Sequence, residues 1–470
     1  VSRMKLMRAL TFPLALCLST FAAFAQQPCR MEFSIAGAAG KKIFLANYYG
    51  NQLFYTDSAV ADAQGLVVFA RKSGYKPGLY AVLPGAGRFE VVVNEPLVKM
   101  ATETGDLVGK LRVIESRENT LHHVDRKAAA ALPEPERTKN LNTLAEANKG
   151  TFVASLIRME LEPEKVEIKR LDDGTPDSAA TTDRWRAHYW DNTDLTDARI
   201  INAPVFQNRL EVLLALGLPQ KPDPIVAYLD SLIARSGPNE DVKRFIVSLA
   251  TKKYAEQPTQ GLGAVCVRMA QRYVCTEPGN KPAADWKPED SWRKTCLKAA
   301  RKASLLIGAK TRDIVLADTT GKKWISMHDM PQSCVIVALW GPHCSHCKQS
   351  IPLLYEKYMS ELKALDVGVY AVAETSDGEL FADWKKFVKE NKLDWTNVGV
   401  PWPEYKDWRT NPERLKGSPT TRESLNYPET WEMTGTPRFY VLDRERRMVS
   451  QPASLNDLFT VVKEHQAKGK

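Results

Sequence analysis

Two cysteines spaced Cys344-x-x-Cys347 are the residues of this chain best suited to chemistry. A pair at that spacing can close into a disulfide and reopen, so its natural reaction is thiol–disulfide exchange. The flanks predict whether the sulfurs are reactive. The apolar, valine-rich run from Cys334 to Leu339 predicts a buried strand, broken at Gly341-Pro342. After the pair, Ile351, Leu354, Tyr355, Tyr358, Leu362 and Leu365 recur at helical steps and predict one inward-facing helix surface. Cys344 then falls at a helix N-terminus, where unpaired N–H groups and the positive end of the dipole stabilise a thiolate. Cys347, one turn deeper, is placed to resolve whatever Cys344 captures.

Two plainer readings compete. His343 and His346 lie beside the cysteines, so half a zinc site can be drawn there, but the chain holds no second C-x-x-C and no H-x-x-x-H to complete it. A strand-to-helix placement also suits a redox pair better than a zinc ribbon. No metal and no cofactor are therefore expected. A purely structural short-range bridge is the other reading, since exported proteins use them.

At these residues the chain resembles the thioredoxin superfamily, and most nearly the secreted bacterial TlpA/ResA-like thiol-disulfide oxidoreductases. Trp340, the cysteine pair and Pro352 carry the likeness, together with Gly435-Thr436-Pro437 ahead of a strand from Arg438 to Leu442. It covers roughly 307–470, one domain's worth of chain. The resemblance implies a thioredoxin-like α/β fold and protein thiols or disulfides as substrates. It also implies a redox partner that recycles the pair. Trp340, Pro342, His343, Thr436 and Pro437 would form the substrate surface, with a cis bond before Pro437 freeing the Thr436 backbone to pair with an extended peptide.

The chain departs from that family where a proton must move. Ala338 stands where thioredoxins hold a buried acid, and Ser350 where the cytochrome-maturation reductases place a glutamate. Glu374, at the end of the next central strand, is the expected substitute. His346, just before the resolving cysteine, is shared with strongly oxidising members and isomerases, and an imidazolium there would favour the Cys344 thiolate. His346 thus points toward an oxidant or isomerase, whereas the architecture favours the reductive direction, and the sequence leaves both open. A thiol peroxidase on this fold would need Thr or Ser where Gly341 stands. A non-catalytic binding or redox-sensing protein, docking a partner through its other domains, is the alternative from a different class.

The rest of the chain predicts a multidomain protein. Residues 1–25 read as an export signal: Met4, the basic Lys5 and Arg8, an apolar stretch from Ala9 to Ala22, then Ala23-Phe24-Ala25. That stretch is too short for a membrane span, and Leu16 and Pro28 before Cys17 and Cys29 argue against a lipid anchor. A soluble periplasmic protein is expected, in a compartment where disulfides persist. Of the eight cysteines, Cys17 would leave with the signal, Cys334 reads as an inert core thiol, and the spacing allows a Cys275–Cys296 bridge without arguing for one. The net charge of +9 is spread out and not interleaved with aromatics, so nucleic acid is not an expected partner.

Residues 26–117 alternate apolar and polar positions between turn residues and predict an antiparallel β-sandwich, through which the protein could self-associate. Residues 118–306 change to helical period and predict an all-α domain, with Asp223-Pro224 and Asn239 as helix starts. The adjacent His122 and His123 read as a solvated surface, and the aromatics of 188–192 as packing. Residues 307–470 form the α/β domain, with a leading hairpin near 313–325, strands at Cys334–Trp340 and Val367–Val372 and a helix from Glu379. The long segment 401–427 carries Trp402, Tyr405 and Trp408 as a wall for substrate.

Overall fold

In a computed structural model of the chain, residues 29–161, 169–257, 261–275, 289–402, 406, 408 and 411–468 are described. The expected export signal and Tyr405 lie outside them. The chain divides into two compact units, one ending at Leu213 and one beginning at Leu214. That division falls inside the stretch expected to be a single helical domain.

The first unit opens with eight strands: β1 (Cys29–Ala36), β2 (Lys42–Tyr49), β3 (Gln52–Val60), β4 (Leu66–Arg71), β5 (Gly78–Leu83), β6 (Phe89–Val93), β7 (Leu97–Glu103) and β8 (Arg112–Glu115). They form two four-stranded sheets, ordered β4-β1-β7-β8 and β3-β2-β5-β6. Alternating side chains of both sheets, among them Met31, Phe33, Ile43, Leu45, Val82, Val91 and Met100, meet in one core. The expectation of a purely antiparallel module needs one correction, because β1 and β7 pair in parallel. Strand alternation does not encode the direction of a neighbour, so the sequence carried no sign of it.

The histidines at 122 and 123 also correct the sequence reading. They sit in a π-helical turn, Leu121–Asp125, with His122 buried and His123 half-buried. His122 is buried, with Nε2 3.6 Å from Glu90 Oε2, and His123 Nε2 meets the Glu90 carbonyl at 3.0 Å. The wider π turn brings the adjacent rings to 4.7 Å, edge to face. Tyr189 and Trp190 are buried, as packing residues should be.

The second unit begins with helices Pro222–Arg235, Glu240–Ala255, Gly263–Tyr273 and Glu289–Ala303. Asn239 caps the second of these as expected, its side chain accepting the N–H groups of Asp241 and Val242. The first starts one residue before Asp223, with Lys221 at the cap position. Cys275 and Cys296 are joined by a disulfide.

A seven-stranded sheet follows, built from β9 (Val315–Asp318), β10 (Trp324–Ser326), β11 (Cys334–Trp340), β12 (Val367–Ala373), β13 (Thr396–Gly399), β14 (Arg438–Leu442) and β15 (Met448–Ser450), in the order β10-β9-β13-β12-β11-β14-β15. Every residue of β11 is buried. Its two faces feed two cores: Ile336, Ala338 and Trp340 pack on one side, Val335, Val337 and Leu339 on the other. Burial on both faces explains why β11 reads as a continuous apolar run, and each large side chain contributes roughly 1.5–3 kcal/mol.

Candidate active site

Sheet register brings three segments together at one end of β11. Trp340 lies opposite Ala373 in the parallel pair with β12, so Glu374 follows directly beside the end of β11, and its N–H donates to the Trp340 carbonyl at 2.8 Å. Leu339 lies opposite Arg438 in the antiparallel pair with β14, which brings the preceding Thr436-Pro437 to the same end. The Thr436–Pro437 peptide is cis. The chain leaves β11 through Gly341 and Pro342 and enters the helix Ser345–Lys357, with Cys344 as its N-cap and Pro352 inside it.

The two sulfurs differ sharply. Cys344 is partly exposed and its sulfur accepts the Cys347 N–H at 3.2 Å, while as a thiol it can donate to the Thr436 carbonyl at 3.3 Å. Burial works against ionising Cys344. Hydrogen bonds to its sulfur from the Cys347 thiol, the Thr436 side chain and the backbone N–H groups of Cys347 and His346 outweigh that cost and hold its pKa below the ordinary thiol value. Cys347 is fully buried, and burial, reinforced by the neighbouring Cys344, pushes its pKa up to about 12. Burial likewise pushes Cys334 up to about 12, as befits an inert core thiol.

Glu374 is half-buried and close to the pair. A Cβ placed on Gly341 would lie 3.3 Å from Glu374 Oε2, 3.7 Å from Cys344 Cβ and 3.9 Å from Thr436 Oγ1. Gly341 thus faces the Glu374 carboxylate, Cys344 and the Thr436 side chain, with the carboxylate at the tightest approach.

The other expected site residues divide. Thr436 and Pro437 are half-buried beside Cys344, and His343 and His346 are exposed on the loop and first helical turn. What the Cys344 sulfur receives from His346 is its backbone N–H. Trp340 and Pro342 are buried, and the Trp340 ring packs 5.0 Å from that of Phe387. Neither offers a surface to substrate, which corrects the expectation for these two. A tryptophan closing a strand with both faces covered belongs to the core. In the 401–427 segment, the short helical turns Pro412–Leu415 and Arg422–Leu425 replace the expected open loop, and Trp408 packs 5.5 Å from Trp324.

Sequence reasoning missed the partner of His343. Its Nε2 lies 2.6 Å from Asp383 Oδ2, so the imidazole is engaged by the helix Gly378–Glu390 and not by the sulfurs. The one sequence signal was the pair of carboxylates Glu379 and Asp383 at i and i+4 on that helix.

No family model and no curated protein matches the chain. Solved structures do. The thioredoxin domain of a thiol-disulfide oxidoreductase from Bacteroides vulgatus is 24% identical, with a TM-score of 0.27, over 34% of this chain and 98% of that one. A domain of a possible thiol-disulfide isomerase from Cytophaga hutchinsonii is 26% identical at a TM-score of 0.27, over 35% and 98%. A thioredoxin-like protein from Bacteroides caccae is 15% identical at a TM-score of 0.42, over 64% and 99%. Among the described residues no helix is long and apolar enough to cross a membrane.

Proposed function

We propose that this protein is a thiol-disulfide oxidoreductase that acts on exported proteins through Cys344 and Cys347, in the reductive direction. The observation that carries the reading is the asymmetry of the pair, with one sulfur reachable and easily ionised and the other buried and protonated. The Cys344 thiolate attacks one sulfur of a substrate disulfide and displaces the other as a thiolate, which leaves a mixed disulfide. Cys347 loses its proton and attacks Cys344 Sγ, expelling the second substrate thiolate. The substrate gains two electrons and two protons, and the protein is left with a Cys344–Cys347 disulfide that a separate reductant must reopen. Glu374 takes the proton from Cys347, and His343, His346, Thr436 and Pro437 border the substrate. The Cys275–Cys296 disulfide supports an exported, periplasmic setting, because such bridges persist in oxidising compartments.

The test is insulin reduction with dithiothreitol as the terminal reductant, paired with iodoacetamide alkylation at pH 7. Wild type should accelerate precipitation of the insulin chains well above dithiothreitol alone, and Cys344→Ser should abolish the gain. Cys344 should alkylate faster than a free cysteine. An unaccelerated assay combined with ordinary alkylation would leave the pair a structural or sensing feature.

A further inference from the structure

Beside the dithiol, three side chains from two rigid segments converge in a way that thiol exchange does not require. His343 sits on the turn between β11 and the active-site helix, held by the buried Gly341 and Pro342 before it and the capped helix after it. Glu379 and Asp383 project from the first two turns of the helix Gly378–Glu390, which is capped by Asp377 and pinned by the fully buried Trp384. One ligand atom from each of His343, Glu379 and Asp383 lies within 4.8 Å of the others.

We propose that these three residues form a binding site for one divalent transition cation of the zinc class. An imidazole with two carboxylates is the mixed nitrogen and oxygen donor set such ions take, and three protein ligands leave a fourth position for water. Zinc–ligand bonds of about 2.0–2.2 Å place tetrahedral ligand atoms roughly 3.3 Å apart. The present spacing, within 4.8 Å, is wider than that by about one rotamer adjustment's reach, and the side chains are exposed or half-exposed. The i, i+4 spacing of Glu379 and Asp383 puts both carboxylates on one helix face, and the solvent-facing imidazole leaves an entry path. The site is distinct from the zinc arrangement weighed on the cysteines, since no sulfur takes part. It stands whether or not the dithiol proves catalytic.

The experiment uses full-length, tag-free protein with Cys344 and Cys347 closed as a disulfide, so that neither sulfur can ligate. Zn²⁺ is titrated by calorimetry, and Co²⁺ by its visible absorption. One ion per chain is expected, with affinity at least tenfold weaker in His343→Ala and in the Glu379→Gln/Asp383→Asn double variant. The double variant keeps a hydrogen-bond partner for His343 while removing both anionic ligands, and melting curves check that each variant folds. Absence of binding by wild type, or equal binding by wild type and both variants, would reduce the cluster to a surface ion pair and overturn the proposal. Binding of Mg²⁺ or Ca²⁺ in preference to Zn²⁺ would overturn the class of ion assigned.

Discussion

Cys344 and Cys347 share one helical turn and yet sit in opposite electrostatic settings, and the proposed division of labour rests on that. The sulfur that caps the helix collects N–H donors, while the sulfur one turn in collects apolar neighbours. Cys347→Ser should therefore still capture substrate but fail to release it. A mixed disulfide at Cys344 should accumulate and be visible on non-reducing gels, whereas Cys344→Ser should trap nothing. The buried thiol is also the costly one to ionise, so the resolving step needs a base. Glu374 is the carboxylate that faces Gly341 beside Cys344. Glu374→Gln should slow resolution by about a hundredfold or more while leaving Cys344 alkylation near its wild-type rate, as expected when a general base is lost. Stopped-flow tryptophan fluorescence separates the two steps, and an unchanged resolving rate would remove Glu374 from the mechanism. At this scale the sequence made legible that the two cysteines sit at a strand-to-helix turn, because spacing and flanks determine that placement. It placed Trp340 on the substrate surface, whereas its ring is buried and packs on Phe387, a residue far along the chain.

Elements were legible in proportion to how much of their environment they carry in their own pattern. β11 and β14 match their expected limits, since β11, covered on both faces, is apolar throughout and β14 is buried after Arg438. β13, Thr-Asn-Val-Gly, was missed because Asn and Gly, both disfavoured in strands, interrupt its two strand-favouring residues, and it owes its conformation to pairing with β12 and β9. The disulfide that ties Cys275, just past the helix Gly263–Tyr273, to Cys296, midway along the helix Glu289–Ala303, depends on a three-dimensional approach that spacing alone could only permit. This bridge closes a loop with a sequence separation of 21. By chain entropy it should stabilise the fold by about 3 kcal/mol. The Cys275→Ser/Cys296→Ser variant should lose roughly that amount in urea unfolding of the second unit, with the alkylation rate of Cys344 unchanged. A loss below 1 kcal/mol would mean that the helices are held by packing alone.

For the molecule as a whole, acid should weaken the first unit through a group that composition hides. Burial, together with the neighbouring His122, lowers the pKa of His123 from 6.5 to about 4. The folded chain thus refuses a proton that the unfolded chain accepts at pH 6.5. Between those values the unfolded state binds more protons, so stability rises with pH across the window. The contribution is fully present above pH 6.5 and is lost as pH falls toward 4, on the order of 3 kcal/mol in total. Glu90 acts in the same sense at its acidic end. Its hydrogen bond with His122 depresses its pKa against the cost of burial, so its contribution also fades as carboxylates protonate. Tyr48 and Arg126 complete the cluster by bonding to Glu90 and His122. His123→Gln keeps an N–H donor for the Glu90 carbonyl but cannot take a proton, so its stability should be flatter between pH 6.5 and 4 than that of wild type. Urea midpoints of the first unit, measured at half-unit pH steps, decide the matter, and parallel curves for the two proteins would exclude His123 as the source of the acid sensitivity.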